Sequence, residues 1–132
     1  MGARAFRRAL ALAAVLAAAG CNGDEPQLAP VRGTVYYRGE PLRGGVIVFV
    51  PDDSRGGSGP MAQAEIGPDG TYTLLTEGKK GAVPGWHRIT VAGPAAPGSP
   101  PLLPARYNQP DLSGQSREVE PGRVNVIDLH LD

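Results

Sequence analysis

Glycine and proline make up a quarter of this chain, 19 and 14 of its 132 residues. Each breaks or frays a helix interior, glycine through backbone entropy and proline through its missing N–H and fixed φ. Long helices are therefore excluded over most of the sequence. The two residue types are scattered between short apolar stretches rather than gathered in one low-complexity run. That spacing favours an all-β domain over a disordered one.

The stretches between them alternate with the period of a half-buried strand. Val31, Gly33, Val35 and Tyr37 alternate with Arg32, Thr34, Tyr36 and Arg38. Gly39-Glu40-Pro41 turns the chain, and Gly44-Gly45 opens a second strand, Val46 to Val50, with Ile47 and Phe49 facing the core. Val46, Val48 and Val50 leave its other side apolar too, so this strand is expected to be central or covered. Asp52 to Pro60 reads as a flexible loop. Ala62, Ala64 and Ile66 alternate next, Pro68-Asp69-Gly70 signals a hairpin, and Thr71 to Leu75 returns with Tyr72 and Leu74 inward. Glu77 to Gly85 is a loop, and Trp86 to Val91 a strand with His87, Ile89 and Val91 inward. Gly93 to Pro104, the longest irregular stretch, holds five prolines; long loops in small domains are usually functional or mobile. Ala105-Arg106-Tyr107 reads as a short edge strand. Gln115 to Glu120 and Val124 to Leu131 are expected to pair around Pro121-Gly122, with Ile127, Leu129 and Leu131 inward. Seven or eight short strands with frequent turns point to an antiparallel β-sandwich.

The N-terminus has a different character. Arg4, Arg7 and Arg8 precede the apolar run Ala9 to Ala19, then come Gly20 and Cys21, the one cysteine in the chain. This is the layout of a secretory signal peptide. The run is too short for a membrane span, which needs ~20 apolar residues. A cysteine directly after the small residues resembles the bacterial lipoprotein signal, in which the thiol is acylated and becomes the first mature residue. The position three before it, usually leucine, is Ala18. The alternative is a secreted chain cut near the same place with a free thiol. The organisation expected is a signal peptide over residues 1–20, a tether over 21–30 and a β-sandwich over 31–132.

The signal segment holds three of the 13 basic residues and none of the 13 acidic ones, so 10 basic residues face 13 acidic ones in the mature chain, about −3. No basic stripe remains, which argues against a nucleic-acid partner. With Cys21 acylated no disulfide can form, and the fold rests on its core alone.

The strings VRGTVYYRGEPLRGGVIVFVP, AEIGPDGTYTL, GAVPGWHRITV, LPARYN and NVIDLHL, in that order, resemble a family of small bacterial lipoproteins common in planctomycetes. Its members are described as carboxypeptidase-regulatory-like or transthyretin-like domains. The resemblance spans roughly residues 31 to 131. It implies a prealbumin-like, seven-stranded Greek-key sandwich at the cell envelope, with no established enzymatic activity and no cofactor. Transthyretin-like enzymes that hydrolyse 5-hydroxyisourate resemble this chain in fold alone. They end in Tyr-Arg-Gly-Ser and use a histidine near the start of the domain, whereas this chain ends in Leu-His-Leu-Asp and has no histidine before residue 87.

Few residues offer chemistry. His87 is expected as a packed ring with one satisfied nitrogen and His130 as a solvated surface residue; neither is paired with a serine in an activating context, and no G-x-S-x-G turn exists. Asp52 and Asp53 offer oxygens to calcium, but no spaced D-x-D-x-D run accompanies them. Zinc would need three or four close His, Cys or carboxylate ligands. Lys79-Lys80 reads as a solubilising pair, and Tyr107 as the anchor of the loop before it. Trp86, on the outward side of its strand, is the main candidate for a binding surface, with Tyr36 as a possible companion. Its alternative is to pack beneath the loop Gly93 to Pro104.

The function expected is that of a non-catalytic, lipid-anchored module facing the periplasm or cell exterior, with a binding or structural role. A carbohydrate-binding module using exposed aromatics and an accessory subunit of a larger envelope complex are the two alternatives.

Overall fold

The computed structural model describes residues 27–132. The expected signal segment, Cys21 and the tether up to residue 26 lie outside the described residues. Chain 27–132 is an all-β sandwich of two antiparallel-rich sheets. The strands are β1 (Val31–Tyr37), β2 (Glu40–Pro41), β3 (Val46–Pro51), β4 (Ala62–Glu65), β5 (Thr71–Thr73) and β6 (Leu75–Thr76). After them come β7 (Lys79–Lys80), β8 (Gly85–Ala92), β9 (Ser116–Val119), β10 (Asn125–Val126) and β11 (Leu129–Leu131).

β1 is the spine of the first sheet. On one side β10 and β11 pair with it in parallel, Val31 with Asn125 and Val35 with Leu129. On the other, β2 and β5 pair antiparallel, Tyr36 with Pro41 and Arg32 with Thr73. The second sheet runs β7-β6-β4-β3-β8-β9, entirely antiparallel, and β3 is central as its two apolar sides required. Between the sheets lie the alternating residues. Val35, Ile47, Phe49, Leu74, Ile89, Val119 and Leu129 are fully buried, with Val31, Tyr72, Val91, Ile127 and Leu131 close behind.

Three expected connections take other routes. Thr71 to Leu75 is not one strand. At Leu74 the chain crosses between sheets: its N–H donates to Val31 O in the first, and its carbonyl accepts from Gly81 in the second. The turn at Pro68-Asp69-Gly70 therefore closes, with Gly67 N–H donating to Thr71 O, but its arms β4 and β5 belong to different sheets. The last two stretches likewise do not pair with each other. β9 joins β8, whereas β10 and β11 join β1. Asn125, mostly buried, holds this crossing: its Oδ1 accepts from Glu120 N–H, and its Nδ2 donates to the carbonyls of Glu120, Arg123 and Pro30. These splits, with the two-residue strands β2 and β7, raise the strand number above the seven or eight expected.

Two segments differ locally. Ala105–Asn108 is a turn of 3₁₀ helix rather than an edge strand, because Tyr107 alone plunges inward. Its hydroxyl accepts from Asp132 N–H at 3.0 Å and from Arg106 at 2.9 Å, the anchoring role expected of it. Ala29, read as tether, is buried and exchanges both backbone hydrogen bonds with Ala82, so the domain begins before Val31.

Candidate binding cleft

Where β3 ends, the chain does not run into the flexible loop its composition suggests. Asp52 is almost fully buried, at 3% exposure, and organises the residues after it. Its N–H donates to Trp86 O on β8, and its carbonyl accepts from Arg55 and Gly57 N–H. Its Oδ1 accepts from Ser54 N–H at 3.1 Å and Ser54 Oγ at 2.6 Å, capping the 3₁₀ turn Asp53–Arg55. Gly57 is required here, since a Cβ would stand 2.9 Å from the backbone of Asp52 and Trp86.

Arg88, on the outward side of β8, completes the cluster. Its Nε lies 3.3 Å from Asp52 Oδ1, one terminal nitrogen donates to Ser54 Oγ at 3.2 Å, and the other reaches Asp111 Oδ1 at 2.5 Å. The Asp52 carboxyl is held below the usual range chiefly by the Ser54 hydroxyl, against some opposing desolvation and with further help from Arg88. The same contacts push Arg88 further toward its charged form. Asp111, by contrast, is 82% exposed. Around this cluster opens a cleft of about 450 Å³, floored by Val50, Pro51, Met61 and Pro110. That size is within the range of small-ligand sites.

Trp86 lies beside the cleft, half-buried, but does not line it. The guanidinium of Arg55 sits 4.4 Å from its ring centroid and occupies one face. The loop over residues 93–104 does not cover it. Pro94 and Leu102 instead line a pocket with Tyr37, Leu42 and Arg43, toward the opposite end of β3. Tyr36 is on β1 in the other sheet, stacked on His130 with centroids 4.7 Å apart and planes 4° from parallel. Trp86 and Tyr36 are therefore not brought together.

Neither histidine shares a hydrogen bond with the cleft's carboxylates. His87 is sealed in the core against Phe49, with Nδ1 3.0 Å from Gly85 O; the carbonyl accepts, so the proton is on Nδ1. Its Nε2 is buried without a partner. Burial lowers its pKa, partly offset by the Gly85 carbonyl, and keeps the ring neutral. The oxygens of Asp52 considered for calcium face Ser54, Arg55 and Arg88. Among the described residues no group of three or more His, Cys, Asp or Glu side chains is placed to hold a metal ion.

The cluster is not visible in the sequence. Asp52, Arg88 and Asp111 lie on three separated segments, and the outward position of Arg88 on an alternating strand was the available signal.

No family model and no curated protein sequence matches the chain. Among solved structures it is similar to a DUF3823 family protein from Parabacteroides merdae, with 18% identity over 80% of this chain and a TM-score of 0.43. The chain spans 46% of that protein's length. It is also similar to the dioxygenase domain of a dioxygenase carbohydrate-binding protein fusion from the cellulolytic bacterium Streptomyces sp. SirexAA-E. There the identity is 26% and the TM-score 0.41, over 85% of this chain and 84% of that one.

Proposed function

We propose that this chain is a lipid-tethered, non-catalytic module of the bacterial envelope, facing the periplasm or cell exterior, that holds a ligand in the cleft around Arg88. The basic, apolar, small-residue order ending in Cys21 supports the anchor. The ordered blocks from VRGTVYY to NVIDLHL support a place among the carboxypeptidase-regulatory-like lipoproteins of planctomycete type. With Ala29 pinned to Ala82, the seven residues 22–28 reach at most about 30 Å, which would keep the sandwich close to the bilayer.

One observation carries the non-catalytic part. Asp52 and Asp111, the carboxylates nearest Arg88, both spend their charge on it, and neither imidazole reaches them. A general base needs an available lone pair within hydrogen-bond reach of its target. Here Oδ1 of Asp52 is taken by Ser54 and Arg88, and its lowered pKa makes the carboxylate a poor proton acceptor.

Mass spectrometry of the mature protein purified from membranes tests the anchor. Acylated Cys21, and release of a Cys21→Ala variant from the membrane fraction, are the expected results. An unacylated terminus with the product free in the medium would remove the tether and the address together.

A further inference from the structure

We propose that the cleft around Arg88 takes a neutral polyhydroxylated ligand, a sugar ring or short glycan, a proposal that rests on the binding-module reading above.

Two surfaces of different chemistry meet there. One is apolar and stiff: Val50, Pro51 and Pro110, with Met61 left 53% exposed beside them. Prolines have no side-chain freedom to lose, so such a floor is ready before a ligand arrives. The other surface is polar and carries both hydrogen-bonding senses. Arg88 is a fork of donors fixed at Nε by Asp52 and at one terminal nitrogen by Ser54. Asp111 and Asp53 present exposed acceptors, and Asp52 Oδ2 faces Arg55 Nε at 3.7 Å, beyond hydrogen-bonding distance. A pyranose has the same division: a face of C–H groups, and a rim of hydroxyls that each donate and accept.

Charge weighs against the rival ligand classes. An anion on Arg88 must displace Asp111 and then lie beside Asp52 and Asp53. A cation must compete with Arg88 and Arg55 for Asp52 and Asp111, which leaves it Asp53 as the one carboxylate without an ion pair. Hydroxyls can bridge Arg88 and Asp111 without disturbing this balance. The Arg88–Asp111 pair is also open to them: the side chains are 35% and 82% exposed. Ion pairs this exposed contribute little to stability, so rearranging this one costs little.

The test is an NMR titration of the purified mature chain with maltotetraose, cellotetraose and N-acetylchitotetraose, with sodium glutarate as the carboxylate control. At least one oligosaccharide should move amides within 50–61, 86–88 and 110–112, with a Kd of roughly millimolar order. Asp111→Asn, at an exposed position that leaves the core intact, and Met61→Ala should each weaken binding several-fold. No shift with any sugar up to about 20 mM, or shifts confined to Tyr36 and His130, would overturn the proposal. Shifts with glutarate alone would make the site a carboxylate receptor, overturning the ligand class while leaving the binding module standing. New reducing-end signals during the titration would instead overturn the non-catalytic reading.

Discussion

The carbonyl oxygen of Ile127 occupies the place where a side chain on Gly33 would begin. Gly33 is in the middle of β1, and the bulge over Ile127 and Asp128 presses against it between the β10 and β11 ladders. The same carbonyl accepts a hydrogen bond from the buried Tyr72 hydroxyl at 2.5 Å. Burial, reinforced by the charge of Asp128, pushes that phenol's pKa up, so it stays a donor. Gly33→Ala is expected to push the bulge away from β1 and destabilise the domain by about 2–3 kcal/mol, as overpacked core substitutions do. Denaturant unfolding measures this, and a loss below about 0.5 kcal/mol would show that the bulge moves freely.

The Asn125 side chain satisfies four backbone groups at the crossing from β9 to β10. Asn125→Ala removes these four side-chain bonds, each worth about 0.5–1.5 kcal/mol. A total loss of roughly 2–4 kcal/mol is expected, with faster amide exchange at Glu120 and Val126. Unchanged exchange there would mean water replaces the side chain.

His87 sets an acid limit on stability. Its folded-state pKa lies below the ordinary 6.5 because of burial, so between the two values the unfolded chain binds a proton that the folded chain refuses. Stability is therefore complete above pH 6.5 and falls as pH drops through 6.5 toward the folded value. The register partner of His87 on β9 is Arg117. Asp52, with its lowered pKa, adds a separate loss below 3.8. Melting temperatures between pH 7.5 and 5 should decline in the natural protein and stay flatter in His87→Leu. Equal slopes in the two would refute the assignment.

Trp86 is the single tryptophan, so fluorescence isolates its contact with Arg55. Cation–π pairs at exposed sites are worth about 0.5–1 kcal/mol. Arg55→Ala should cost no more than that, yet raise acrylamide quenching measurably. Unaltered quenching would show that the guanidinium does not shield the ring.

The inward and outward residues of this domain are legible in its sequence because alternation reports which face a side chain takes. Ile47, Phe49, Ile89, Val91, Leu129 and Leu131 are all buried as their spacing predicts. Alternation says nothing about which strand lies alongside. Hence the division at Leu74 and the separate destinations of β9 and β10 were hidden, since both depend on hydrogen bonds to residues far away in the chain. The cleft was hidden for the same reason. Asp52 looks like any acidic loop residue until β8 places Arg88 beside it, and Asp111 falls in a stretch without periodicity. Tyr107 was placed correctly as an anchor but in the wrong element, because one aromatic residue among prolines carries no period.

Building the first sheet around β1 has a kinetic consequence. The strand made first during synthesis finds half its partners, from Asn125 to Leu131, nearly a hundred residues later. Contacts that distant in sequence close slowly. Until the last segment is available, one flank of Val31–Tyr37 stays unbonded. Closure of the first sheet therefore waits for the final strand.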